Sequence, residues 1–166
     1  MPQTIDVQTG EVKAGGKDTL LFSTAIGSCI AVAALETNAL VGGIAHIMLP
    51  GKSPENPEKP HTRYAHDGFS ALLESVRSMG GAIENLNICI AGGANVLNSP
   101  DDSICRENVA SVLEQCERYN LPVVARSLGG YLRRRVMVNV GQLTVSCGIG
   151  DQADFILWSS GKEITV

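Results

Sequence analysis

The sequence predicts an α/β sandwich, and three observations carry that prediction. Short apolar runs bounded by Gly, Asn, Asp and Pro recur along the chain, two longer segments hold apolar residues at helical spacing, and no repeat or second domain interrupts them. At 166 residues with 44% hydrophobic side chains, the chain suits one domain over 1–166, with a body from about 19 to 149 and a tail over 150–166.

Thr4-Ile-Asp-Val-Gln8 alternates weakly and is expected as an edge strand, with a loop after it through Gly15-Gly16. Thr19 to Ile26 is the strand that delivers the turn Gly27-Ser28. Ile30-Ala-Val-Ala-Ala-Leu35 is an apolar run of strand length, buried on both faces. Val41-Gly-Gly-Ile-Ala-His-Ile-Met-Leu49 is the next strand, and the short turn Thr37-Asn38-Ala39 lets the two pair as a hairpin. The stretch Pro50 to Pro60 contains four prolines and cannot pair into a sheet. It starts four residues after His46, so it either forms part of the rim of a site or is a solvated connection.

From Tyr64 to Gly80 the residues Ala65, Phe69, Leu72, Leu73, Val76 and Met79 recur at helical spacing, and Gly80-Gly81 stops the helix. Ile83 to Ala91 reads as a buried strand, with Gly92-Gly93 allowing a close backbone approach; no Gly-Lys-Ser/Thr follows to suggest a phosphate loop. Asp101-Asp-Ser103 supplies N-cap candidates for a second helix with an apolar face of Val109, Val112, Leu113, Cys116 and Tyr119. Leu121 to Arg126, Arg133 to Val140 and Leu143 to Ile149 are three further strands, the last two joined through Gly141-Gln142. Phe155, Ile156, Leu157 and Trp158 in the tail either dock on the domain or meet a partner.

A net charge of −4 and a pI near 5.3 argue against nucleic acid or a membrane surface as partner, and Arg133-Arg-Arg135 is an isolated triplet without interleaved aromatics. No apolar stretch reaches bilayer-spanning length and the N-terminus lacks a signal pattern, so a cytoplasmic location without membrane insertion is expected. Five cysteines without Cys-x-x-Cys spacing suggest free thiols rather than a disulfide framework or a metal site.

Cys29 alone among them follows a Gly-Ser turn, at the entrance of a strand whose hairpin partner carries His46. Such a pair offers a nucleophile and a proton carrier, because a neighbouring imidazole stabilises the reactive thiolate. Gly27, Ser28 and Cys29 present backbone N–H groups suited to an oxyanion. The competing reading makes Cys29 a small core residue and His46 a satisfied strand histidine.

Ala25-Ile-Gly-Ser-Cys-Ile30 taken with Gly43-Ile-Ala-His-Ile-Met-Leu-Pro50 resembles the CheD family of bacterial chemotaxis, whose members are chemoreceptor glutamine deamidases. The resemblance continues through Arg63-Tyr-Ala65, Met79-Gly80, Ile90-Ala-Gly-Gly-Ala94, Asn108 and Gly129-Gly130. It implies helices packed on a layered, mostly antiparallel β-sandwich, an α-β-β arrangement related to the catalytic domain of cytotoxic necrotizing factor. It also implies a cofactor-free hydrolase with Cys29 as nucleophile and His46 as acid and base.

The family has a threonine six residues before the cysteine, where this chain has Ser23 with Thr24 beside it; one of the two is expected to orient the imidazole. Arg134 matches a family arginine that follows the paired glycines and would help orient an acidic receptor helix. The implied partners are the cytoplasmic helices of chemoreceptors as substrate and the phosphatase CheC. Departures from the pattern at Ser23 and Cys105 sustain a rival reading, a non-catalytic or weakly catalytic adaptor that binds receptors and regulates a CheC-type phosphatase; His66 departs as well, where the family has an acidic residue. A general cysteine protease is disfavoured, since no Cys-Gly-Ser-Cys-Trp type signature is present.

Overall fold

The computed structural model describes residues 1–56 and 58–161. Its layering follows from two central strands, β4 (Ile30–Glu36) and β5 (Val41–Ile47), which are buried at every position. Successive side chains of a strand point to opposite faces, so a sheet covered on both sides requires such continuous apolar runs. Ile30, Val32, Ala34, Ala45 and Ile47 enter the core beneath the helices. Ala31, Ala33, Leu35 and Ile44 enter a second core between the two sheets.

Around this hairpin, β2 (Val12–Gly15), β6 (Leu86–Gly92) and β7 (Val123–Leu128) complete a five-stranded sheet in the order β2-β5-β4-β6-β7. The second sheet has the order β1-β3-β8-β9-β10, built from β1 (Gln3–Asp6), β3 (Thr19–Ile26), β8 (Arg134–Asn139), β9 (Thr144–Ile149) and β10 (Phe155–Ser159). β1 pairs parallel to β3 and β6 parallel to β7; the remaining neighbours are antiparallel.

Helices α1 (Ala65–Ser78) and α2 (Ser103–Arg118) cover the outer face of the first sheet. Phe69, Leu72, Leu73 and Val76 of α1 and Val112 and Cys116 of α2 fill that core, and Phe69 stacks on Tyr119 with centroids 5.8 Å apart. Gly80, at φ 91, closes α1. Its N–H reaches the Arg77 carbonyl, the Gly81 N–H reaches that of Val76, and a left-handed residue here favours glycine. The result is a mixed α/β fold of two helices and two five-stranded sheets among the described residues.

Several elements differ from the sequence expectation. The Gly- and Lys-containing stretch expected as a loop supplies β2, an edge strand whose four residues pair with β5 from Val12 opposite Ala45 to Gly15 opposite Gly42. The stretch expected as a tail supplies β10, which pairs with β9 through a bulge between Ile156 and Trp158; residues 162–166 lie outside the described part. Ile83–Asn85 is a 3-10 turn, and the strand begins only at Leu86.

Candidate active site

Ser23, Cys29 and His46 come from three neighbouring segments, and local irregularity in β3 is what aims them. Between Ser23 and Ile26 the register of β3 against β8 shifts, so that three steps on β3 match two on β8. Ala25 takes up the extra residue in a left-handed conformation at φ 55. The bulge lets Ser23 and Ile26 both be fully buried despite their odd spacing, while Thr24 is exposed.

The turn that follows is anchored by all three of its carbonyls. Gly27 O accepts from Ala94 N–H at 2.8 Å and Cys29 O from Gly93 N–H at 2.9 Å. Ser28 O accepts from Asn108 Nδ2 at 2.9 Å. Gly92, at φ 127, packs so tightly beneath this turn that a Cβ there would collide with Cys29 O. In a trans peptide the N–H points opposite to the preceding carbonyl. Anchoring the Gly27 and Ser28 carbonyls therefore directs the Ser28 and Cys29 N–H groups away from the segments that hold the turn.

His46 lies opposite Ala31 in the β4–β5 ladder and so shares the inter-sheet face with it. Cys29, two residues before Ala31, packs against the same inter-sheet cluster. His46 is 1% exposed. Its Nδ1 lies 2.8 Å from Ser23 Oγ, and the Ser23 hydroxyl donates to the Val7 carbonyl at 2.5 Å. A carbonyl only accepts, so the single hydroxyl proton goes to Val7 and Ser23 Oγ accepts from Nδ1–H. This assigns the tautomer: Nε2 carries the free lone pair, and among the described residues it is buried without a hydrogen-bond partner.

Burial raises the Cys29 thiol pKa, which its own backbone N–H partly offsets. Burial lowers the pKa of His46, with the Val7 carbonyl and the Asp6 carboxylate opposing. Both shifts favour the neutral thiol and neutral imidazole over an ion pair at rest. Cys29 is half-buried, whereas Cys89, Cys105, Cys116 and Cys147 are buried. Burial pushes Cys89 up to about 12 and Cys116 up to about 11.

Ala25, Gly27, Ser28 and Cys29 form one wall of a cleft of about 450 Å³; Val96, Leu97, Ile104, Cys105 and Arg133 are among the residues that complete it. Leu97 is 87% exposed at its mouth. Of the residues expected from the sequence, Ser23 and His46 are hydrogen-bonded to each other, Cys29 packs against the inter-sheet cluster on the face His46 shares, and Gly27, Ser28 and Cys29 line the cleft. Thr24 lies outside this cleft, lining smaller surface hollows. Arg134 is buried and donates to Ser127 Oγ, Gly129 O and Leu132 O, which fixes the 129–132 loop; the arginine facing the cleft is the exposed Arg133. Among the described residues, none of the proline-rich stretch lines the cleft: Gly51 N–H is tied to Ser111 Oγ and Ser53 N–H to Asp67 Oδ2. No cluster of three metal-ligating side chains occurs among the described residues.

Two parts of this arrangement escaped sequence reasoning. The Val7 carbonyl is a backbone group distant in sequence and leaves no side-chain signature. Asn108 does leave one: four residues before Val112, it falls on the buried face of α2, and the family resemblance takes it in without giving it a role.

Comparison with known proteins adds an independent line. The family described as CheD chemotactic sensory transduction matches residues 48–148. The chain is 38% identical over 142 residues, 84% of its length and 71% of the relative's, to a protein of Chlorobium luteolum named probable chemoreceptor glutamine deamidase CheD. It is 32% identical to a Haloarcula marismortui protein of the same name, over 98% of this chain and 88% of the relative, a span that takes in Cys29 and His46. To the chemoreceptor glutamine deamidase CheD of Thermotoga maritima it is 33% identical, over 81% of this chain and 87% of the relative.

Proposed function

The chain belongs to the CheD family, and on that premise we propose that it deamidates glutamine side chains of chemoreceptors to glutamate. The observation that carries the mechanism is the Ser23–His46 hydrogen bond, which leaves His46 Nε2 free on the inter-sheet face that Cys29 shares.

Cys29 Sγ attacks the carboxamide carbon as its proton passes to Nε2, so that charge develops only as the bond forms. The new oxyanion is held by the Ser28 and Cys29 N–H groups, which the anchored carbonyls aim outward. The imidazolium keeps its Nδ1–H on Ser23 Oγ, whose own proton stays on Val7 O. Nε2–H then protonates the departing nitrogen, ammonia leaves, and a thioester remains on Cys29. Water, deprotonated by Nε2, opens the thioester to give glutamate and restores the thiol. The atoms balance as amide plus water to acid plus ammonia, with no cofactor.

A receptor's cytoplasmic helix meets the cleft mouth beside Leu97 and Arg133, an apolar contact and a positive charge suited to an acidic helix. On this reading the protein acts in the cytoplasm. The α-β-β layering also supports the kinship with the catalytic domain of cytotoxic necrotizing factor. Mass spectrometry of a receptor cytoplasmic fragment incubated with the protein tests the proposal: each modified glutamine gains about one dalton as amide becomes acid. A fragment that binds but keeps its mass would favour the adaptor of receptors and a CheC-type phosphatase instead.

A further inference from the structure

Asn108 sits in the middle of α2, fully buried, and its amide nitrogen donates twice: to Ser28 O at 2.9 Å and to Met48 O at 3.1 Å. Ser28 immediately precedes the cysteine, and Met48 follows the histidine by two residues. One side chain therefore pins the nucleophile turn to the strand that carries the base, from a helix that belongs to neither. Two carbonyl acceptors also assign the amide orientation, since only the NH₂ group donates. Asn108 Oδ1 is buried and, among the described residues, without a hydrogen-bond partner. An apolar side chain here would avoid that desolvated oxygen, so packing alone does not explain an amide.

We propose that Asn108 is a positioning residue for the Cys29–His46 pair, setting the spacing between thiol and imidazole and aiming the Cys29 N–H at the oxyanion. The inference rests on the reading of those two residues as the working pair. Because each bond is to a main-chain carbonyl, no substitution at Ser28 or Met48 mimics its loss. The Ser28–Cys29 peptide is the element that would turn: with its carbonyl released, the thiol and the N–H move together relative to Nε2.

The test is the rate of iodoacetamide alkylation of Cys29 at neutral pH, which needs no receptor, in a double-mutant cycle of Asn108→Ala with His46→Ala. If Asn108 acts through the pair, Asn108→Ala slows alkylation about tenfold when His46 is present and adds nothing once His46 is gone. In deamidation it lowers kcat, with KM held within about twofold. Gln115→Ala, two turns further along the buried face of α2, controls for loosened helix packing and leaves both readouts unchanged. Should the alanine variant not fold, Asn108→Ser serves in its place, because a serine hydroxyl is too short to bridge both carbonyls.

Equal slowing in both His46 backgrounds, an equal effect from Gln115→Ala, or unaltered alkylation would each overturn the proposal. His46→Ala without effect on the parent's alkylation would instead overturn the pair itself. Intact coupling with no mass gain on a receptor fragment would overturn only the deamidase reading.

Discussion

Ser23 Oγ stands 2.8 Å from His46 Nδ1 although the two residues belong to different sheets. The bond crosses the sandwich, with the Val7 carbonyl closing the relay behind it, so the orientation of the imidazole depends on the packing of one sheet against the other. Ser23→Ala removes the acceptor for Nδ1–H and frees the ring to rotate or change tautomer. Turnover is expected to fall roughly tenfold to a hundredfold, on the order of 1 to 3 kcal/mol. Ser23→Thr keeps the hydroxyl and is expected to retain turnover, whereas Thr24→Ala, on the exposed side of β3, leaves it unchanged. Steady-state kinetics at matched folded fraction decide it, and a crippled Thr24→Ala beside a normal Ser23→Ala would reassign the role.

Thiol labelling is expected to single out Cys29. Burial raises the thiol pKa of all five, so access decides: Cys29 is the one half-buried cysteine, while the other four are buried and withheld from reagent. Limited iodoacetamide at neutral pH followed by peptide mapping measures this, and comparable modification of Cys89, Cys105, Cys116 and Cys147 in folded protein would refute it. His46→Ala is expected to slow the Cys29 reaction, because on the proposed mechanism the thiol loses its proton acceptor, while the circular dichroism spectrum stays that of the folded protein, since β5 keeps its backbone ladder with β4.

The path from sequence to site was legible where side chains carry the information. Cys29 stands out because a Gly-Ser turn precedes it and an apolar strand follows, and His46 because it interrupts the buried strand Val41–Ile47. Ser23 was legible only as one of two neighbours, and the choice was made by the bulge at Ala25, which no alternation rule anticipates. Arg134 looked like a ligand for an acidic partner, yet its guanidinium is consumed by the carbonyls of Gly129 and Leu132. β2 and β10 were illegible as strands for a shared reason. Both are short edge strands, β10 with a bulge as well, and their pairing is supplied by β5 and β9 rather than by their own pattern.

The pH response follows from burial. The proposed mechanism needs neutral His46, and the His46 pKa is held below the ordinary histidine value by burial, so the acid limb of kcat/KM is expected below pH ~6.5. Stability moves the same way: between the folded and unfolded pKa of His46 the unfolded chain binds more protons, so stability falls as pH drops below ~6.5. On the alkaline side the sign comes from the cysteines. Their folded pKa values are raised, to about 12 for Cys89 and about 11 for Cys116. The folded state therefore retains protons that the unfolded chain releases, and stability declines from about pH 9 upward. Denaturant midpoints across the pH range measure both limbs; a midpoint flat from neutrality to pH 10 would contradict the alkaline one.

Glu36 provides the contrast between fold and chemistry. At 2% exposure, this carboxylate at the end of β4 accepts from the N–H groups of Asn38, Ala39 and Ala82. It thereby joins the hairpin turn between β4 and β5 to the segment entering β6. Charge-assisted bonds to main-chain N–H groups are worth more than neutral ones, and removing their acceptor leaves donors unpaired. Glu36→Ala is expected to cost on the order of 2 to 4 kcal/mol of stability, read as a lower denaturant midpoint with an unchanged slope. Glu36→Gln keeps an acceptor oxygen without the charge and falls between the two. Yet Glu36 lies at the opposite end of β4 from Cys29, so kcat per folded molecule is expected to stay within about twofold of the parent. A large loss of kcat in correctly folded Glu36→Ala would mean that the hairpin register, and with it the placement of His46 opposite Ala31, depends on this turn.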